Sequence, residues 1–224
     1  PGGTLALDSV SLEIGAGIFG LLGPNGAGKT SLIKILATLL RPTGGTVRVD
    51  GLDLDRQRRT IRRRIGYLPQ DFSSFPKLTA REFLDYAARL KGIRSRKARS
   101  SAVDAVLGDV GLFEARDRRA DKLSGGMKRR LGIAQSLLGN PRLMIIDEPT
   151  VGLDPEERVR FRNLLSDLAR EDRVIILSTH IVGDISSTCS RIALLDRDTV
   201  VFCGPPAALV GRAQGEVRVV NAIP

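Results

Sequence analysis

The sequence has no tryptophan, a single histidine, two cysteines and only 4% aromatic residues. Each shortage closes off a class of function. So few rings leave no stacking surface of the kind that holds single-stranded nucleic acid. One histidine with Cys189 and Cys203, which form no Cys-x-x-Cys pair, does not complete a common zinc set. Two isolated thiols fit a reducing compartment. No apolar run approaches the roughly 18 residues that a membrane-crossing helix needs. No charged-then-apolar signal segment opens the chain. The first residue is Pro1 rather than Met, so the chain reads as a processed or trimmed piece.

What is present fits a globular chain. Its 224 residues suffice for one sizeable core, or a core with a smaller lobe, and hydrophobic residues at 42% can fill it. The net charge of +10 admits a polyanionic partner or nucleotide phosphates. The densest run, Arg56 to Arg64, carries six arginines in nine residues and reads as a solvated helix face.

Along the chain, residues 5–14 partly alternate apolar and polar, as a half-buried strand does. "IFGLL" reads as a buried strand running into a glycine loop, and "SLIKILATLL" as a helix with a wide apolar face at 32, 33, 35, 36, 39 and 40. "TVRVDG" alternates and ends in an Asp-Gly turn, and "IGYL" is a further short strand. From about Asp71 to Gly139 strand-like runs vanish. Thr79 and Glu82 stand at capping-box spacing, and two more helices follow. Strands resume with "RLMIID" and "VIILSTH", and a hairpin is expected around Arg197 and Asp198. Strand–helix alternation predicts an α/β fold with a mostly parallel sheet, formed by residues 1–70 and 140–224, with a helical lobe of residues 71–139 inserted.

The chemistry concentrates in "GPNGAGKT", Gly23 to Thr30, between a predicted strand and a predicted helix. This is the Gly-x-x-x-x-Gly-Lys-Thr phosphate cradle. Within Gly23, Pro24, Asn25, Gly26, Ala27 and Gly28, the glycines let successive backbone N–H groups turn inward on a phosphate, and the helix that follows adds its positive end. Lys29 supplies charge for the outer phosphates, Thr30 a hydroxyl for Mg²⁺, and Ser31 closes the cradle. Asp147 ends an apolar strand at the edge where ligands bind in such sheets, with Glu148 next to it. The pair can divide the labour, Asp147 holding the metal shell and Glu148 acting as general base toward water. His180, the lone histidine, ends another apolar strand at the same edge. A second, weaker anion turn, "LSGG", stands a hundred residues after the cradle, with Ser124, Gly125 and Gly126.

Taken together, and in this order, these motifs resemble the ATP-binding cassette (ABC) ATPase subunit over nearly the full chain. "GPNGAGKT" resembles the Walker A loop and "LMIIDEP" Walker B with its catalytic glutamate. "LSGG" resembles the family signature, Gln70 in "YLPQ" the Q-loop glutamine, Asp154 in "GLD" the D-loop, and His180 the switch histidine. The resemblance implies a P-loop NTPase (RecA-like) core with an N-terminal antiparallel β subdomain, ATP and Mg²⁺ as ligands, and Glu148, His180 and Gln70 as catalytic. Gln70 would join Thr30 and Asp147 at the metal. It also implies head-to-tail pairing with a second cassette, expected to be an identical copy, in which Ser124, Gly125, Gly126 and Asp154 meet the partner's nucleotide. Further implications are docking on separate transmembrane permease subunits at the cytoplasmic face of a bacterial membrane, and no nucleic-acid partner. "LSGGMKRRLGIAQ" is nearer the exporter-type branch. The adenine-stacking aromatic that the family carries ahead of "ALDSVSLEI" is missing, since no aromatic precedes Phe19. A nucleic-acid-associated ATPase on the same cassette is the alternative, permitted by the basic balance.

Overall fold

A computed structural model describes residues 5–169, 172–186 and 188–213. In chain order the elements are β1 (Gly17–Leu22), α1 (Lys29–Leu36), β2 (Arg48–Val49), β3 (Leu52–Asp53), α2 (Arg58–Arg64) and β4 (Ile65–Leu68). Then come α3 (Ala80–Leu90), α4 (Arg96–Asp109), α5 (Gly125–Leu137), β5 (Leu143–Asp147) and α6 (Pro155–Ala169). The chain continues through β6 (Val174–Thr179), α7 (Val182–Ser186), β7 (Arg191–Asp196), β8 (Thr199–Gly204) and α8 (Pro206–Ala213).

Six strands form one sheet in the order β4-β5-β6-β1-β7-β8. The first five run parallel and β8 returns antiparallel to β7. Buried on both faces, β5 and β6 are almost continuously apolar, as such strands must be. One apolar cluster covers the face shared with α3, α4, α5 and α6 and includes Leu68, Leu84, Leu107, Leu131, Ile146 and Leu177. The other covers the face under α1 and the β2–β3 hairpin, with Leu21, Ile33, Leu54, Ile61 and Ile145. Every parallel strand delivers its carboxyl end to the same edge, so the ends of β1, β5 and β6 lie side by side there.

Local turn chemistry follows the sequence. Asp50 and Gly51, with φ of 49° and 75°, close the β2–β3 hairpin, and Arg197 and Asp198, with φ of 43° and 69°, close β7–β8. Both are primed turns, whose twist suits paired strands. Thr79 and Glu82 form the capping box at the start of α3.

Three expectations give way to tertiary contacts. Residues 5–14 form no strand, although Leu7, Val10, Leu12 and Ile14 still pack on the second cluster, so the alternation reports burial without a ladder. The antiparallel β subdomain is therefore represented by β2 and β3 alone among the described residues. The helix after the cradle stops at Leu36 rather than continuing through Leu40. Thr38 turns left-handed at φ 63°, and Leu39 and Leu40 are left exposed. The arginine run accounts for the stop. Arg58 donates to the Thr38 and Leu40 carbonyls, and Arg62 to the Thr38 carbonyl and hydroxyl. Two of the six arginines thus cap the negative end of α1, and the other four remain solvated.

The lobe meets the sheet at edge strand β4. Helix α5 runs antiparallel to β4 and so close that a Cβ on Gly66 would strike the Ser136 carbonyl oxygen. Backbone cannot yield as a side chain does, so Gly66→Ala is expected to destabilise by roughly 1–3 kcal/mol. Urea denaturation checks this, and an unchanged midpoint contradicts the close approach.

Candidate active site

The loop from Gly23 to Gly28 joins β1 to α1. Gly28 caps α1 at φ 89° and provides no side-chain acceptor, and no acidic residue stands in the first turn. The N–H groups that open α1 are thus left for a ligand, with the helix dipole behind them. Helices α3, α4 and α5 differ, because Thr79, Ser95 and Ser124 cap them. A Cβ on Gly28 would meet the Ala6 carbonyl oxygen, so residues 6 and 7 form a wall of the cradle that motif reading did not reveal.

Lys29 is 5% exposed. Its ammonium donates to the carbonyls of Gly23 (2.7 Å) and Pro24 (2.9 Å) and stands 4.0 Å from Glu148 Oε1. Burial lowers its pKa, with Glu148 and Asp147 opposing. The Thr30 hydroxyl, exposed at the mouth, and that of half-buried Ser31 make no hydrogen bond among the described residues. Pro24, Asn25 and Gly26 are exposed, and Ala27 is buried.

Asp147 and Glu148 stand where β5 ends. Register pairs Asp147 with Ser178 of β6, whose side chain is fully buried. The Ser178 hydroxyl donates to Asp147 Oδ1 and accepts the Glu148 N–H at 3.0 Å, while the Ser178 carbonyl accepts the same N–H at 3.2 Å. Ser178 thus fixes both acids, a role invisible until the strand register is known. Burial pushes the Asp147 carboxyl above its usual range, and Glu148 adds to this. The Ser178 hydroxyl opposes it, as do Lys29 and Lys34. Glu148 adopts φ 43°, a left-handed conformation that costs a non-glycine residue on the order of 1–3 kcal/mol. This turns its carboxylate toward Lys29 and sets Oε2 3.1 Å from Nδ1 of half-exposed His180.

The remaining expected residues lie further along the sheet edge. Gln70 is exposed just beyond β4, and its carbonyl accepts from Arg129 at 2.9 Å. Asp154 caps α6 by accepting the Glu157 N–H at 2.8 Å. The Ser124 hydroxyl accepts the Met127 N–H at 3.2 Å, which leaves its own hydrogen free to donate outward. Exposed Gly125 lines a cavity of about 280 Å³ with Gln70, Arg129 and Gly152. Gly126 is buried against the Glu157 carboxylate of α6. Helix α5 packs on β4, three strand positions from β1, a lateral offset of about 14 Å. The structure therefore gathers Gly23–Ser31, Asp147, Glu148 and His180, ties the Gln70 carbonyl to that of Glu148 through Arg129, and sets Ser124–Gly126 and Asp154 aside from them.

Residues 7–151 match the family model for ABC transporters. The chain belongs to the ABC transporter family. It is 41% identical over 92% of its length to the daunorubicin/doxorubicin resistance ATP-binding protein DrrA of Streptomyces peucetius, 63% of which it spans. The chain thus covers less than two thirds of this relative. CbiO1 of Clostridium perfringens, part of the ABC transporter complex CbiONQ, superposes with a TM-score of 0.85 at 26% identity, over 93% of this chain and 85% of that one. The dimeric cassette MJ0796 bound to ADP and Pi superposes at 0.79 with 28% identity, over 90% of each chain. The α/β P-loop cassette fold and ATP as the ligand of this ABC chain agree with its family.

The donor set also fits a divalent cation. Buried Asp147 carries a charge that its surroundings under-compensate, and the Thr30 hydroxyl stands free on the neighbouring element. Because the folded pKa of Asp147 is raised, its ionisation opposes folding above that pKa, and the penalty vanishes below the ordinary aspartate value near ~4. Asp147→Asn keeps a carbonyl for Ser178, so it is expected to raise Tm at pH 7 and to leave it unchanged near pH 3. At about 2–4 °C per kcal/mol in a chain of this size, thermal melts resolve the difference. A lower Tm at pH 7 contradicts the burial argument.

Proposed function

We propose that this chain hydrolyses ATP as the motor subunit of a membrane transporter, and that two copies pair head to tail with nucleotide between them. One observation carries the reading: Glu148 is held beside both Lys29 and His180 by a strained backbone that Ser178 fixes. Such an outlier is kept where its geometry is needed.

In this reading the Gly23–Gly28 backbone and Lys29 bind the β- and γ-phosphates. Thr30, Gln70 and Asp147 hold Mg²⁺, which supplies charge neutralisation of the phosphate oxygens. Glu148 accepts the proton of the attacking water, and His180 keeps that carboxylate aimed and contacts the γ-phosphate. Catalysis is then mainly positioning and charge stabilisation. The cradle wraps one side of a triphosphate, and its far side needs other donors. The lateral offset of Ser124–Gly126 from their own cradle supports their serving a second copy, with Asp154 at the same junction. MJ0796, dimeric with ADP and Pi bound, supports the pairing of two copies.

The transport role draws on DrrA, a drug-resistance ATP-binding protein, and on CbiO1, part of a transporter complex. No helix among the described residues is long and apolar enough to cross a membrane. Separate permease subunits would carry the substrate path, with this chain at the cytoplasmic face and export the direction that the exporter-like "LSGGMKRRLGIAQ" segment suggests. Residues 71–139 act as the lobe that meets the permease and the remainder as the core. Phe72, Phe75 and Pro76 offer the contact: Phe72 is half-buried and Phe75 is 52% exposed, both edge-on to Phe83. The nucleic-acid alternative is not favoured, since the family model is that of ABC transporters and CbiO1 is part of a transporter complex.

The test is Glu148→Gln. It is expected to bind ATP with unchanged affinity, lose at least 100-fold in turnover, a typical scale for a positioned acid–base group, and accumulate as an ATP-bound dimer on gel filtration. Turnover near wild type removes Glu148 from the base role.

A further inference from the structure

Helix α5 carries three consecutive cations after its Ser-Gly-Gly start, Lys128, Arg129 and Arg130, and they serve different places. Lys128 is exposed. Arg130 stays within the helical region, donating to the Val110 and Gly111 carbonyls at 3.3 Å each. Arg129 crosses to the sheet. Its Nη1 donates to the carbonyls of Gln70 (2.9 Å) and Pro69 (3.4 Å), and its Nη2 to the carbonyl of Glu148 (3.3 Å). One planar guanidinium therefore joins the signature helix, the turn after β4 and the residue that follows β5. A planar fork presents its donors in a fixed geometry from two separated nitrogens, whereas an ammonium donates from a single point on a flexible stem. These hydrogen bonds of Arg129 all go to backbone carbonyls, while the Asp71 and Asp147 carboxylates act on its charge from further away and oppose the lowering of its pKa by burial.

Glu148 sits at the strained end of this bridge. Its N–H is taken by Ser178 and its carboxylate faces His180 and Lys29. Its carbonyl is the remaining handle, and Arg129 holds it. A glutamate at φ 43° persists only while its surroundings fix it, so freeing the carbonyl lets the peptide rotate and takes the carboxylate off its aim.

We propose that Arg129 is a positioning residue for hydrolysis, coupling the start of the signature helix and the Gln70 turn to the backbone of Glu148 within the same chain. This rests on Glu148 being the base. The signature segment then acts twice: Ser124–Gly126 serve the neighbour's nucleotide, and Arg129, three residues on, reports the helix position to its own catalytic carboxylate. Movement of α5 or of the Gln70 turn, whether from pairing or from a permease, reaches Glu148 through one side chain.

The test compares Arg129→Met and Arg129→Lys with Lys91→Met in the full chain. Lys91 donates to the Ile65 carbonyl at 2.7 Å and so ties the opposite end of β4 without touching the site. The readouts are kcat and KM for ATP, affinity for trinitrophenyl-ATP, and Tm by circular dichroism. Arg129→Met is expected to lower kcat at least tenfold with trinitrophenyl-ATP affinity within threefold of wild type. Arg129→Lys, which retains the charge but not the fork, recovers less than a third of wild-type kcat. Lys91→Met lowers Tm and keeps kcat within twofold. The coupling is overturned if Arg129→Met keeps kcat within twofold, if lysine restores it fully, or if Lys91→Met loses as much. If Arg129→Met does not fold, the lysine variant decides alone. The Glu148→Gln rate separates the two failures: when that variant is inactive and Arg129→Met is not, the base assignment stands and the coupling falls.

Discussion

The hydrogen bonding of one buried serine organises the site. Ser178 lies at the last ladder position between β5 and β6 and spends its hydroxyl on two consecutive acids, donating to Asp147 and accepting from the Glu148 N–H. It stabilises one carboxylate in a place where burial penalises charge, and it pins the next residue in a left-handed turn. Lys29 faces the same space with its charge only partly compensated. Lys29, Asp147 and Glu148 are thus buried together at one sheet edge, a set of groups that suits a phosphate with a divalent metal.

The Ser-Gly-Gly corner lies sideways along the same edge. Helix α5 is held against β4 by backbone-close packing at Gly66 and at Gly132, where a Cβ would meet Leu68 and Phe72. This fixes the Ser-Gly-Gly corner about three strand spacings from the phosphate loop. Rigid attachment suits a donor group presented outward to another molecule. It also means that whatever moves α5 moves the Gln70 turn with it, since Arg129 and Phe72 bind both.

Much of this was legible in the sequence because its causes are local. The capping box of Thr79 and Glu82, the Asp50–Gly51 turn and the Arg197–Asp198 hairpin each depend on residues within four of one another. The cradle and the strand-ending acids were legible for the same reason, as short motifs at strand ends. What was not legible depends on register or on distant partners. Ser178 looked like one polar residue in an apolar strand until pairing set it opposite Asp147. The end of α1 is decided by Arg58 and Arg62, some twenty residues away, so apolar spacing alone overran it to Leu40. Residues 5–14 alternate because one side packs on the core, and alternation cannot tell packing from pairing.

In the proposed mechanism the signature corner of one copy completes the cradle of another. Mixing two inactive variants tests this directly. Lys29→Ala removes the cradle's charge and Ser124→Glu blocks the corner, and each alone is expected to be inactive as a homodimer. In a mixed dimer, sharing in trans leaves one composite site intact, so ATPase activity should return to about half the wild-type rate per dimer. No recovery, with both variants folded and paired, would contradict the account, because a corner serving its own cradle leaves every site damaged.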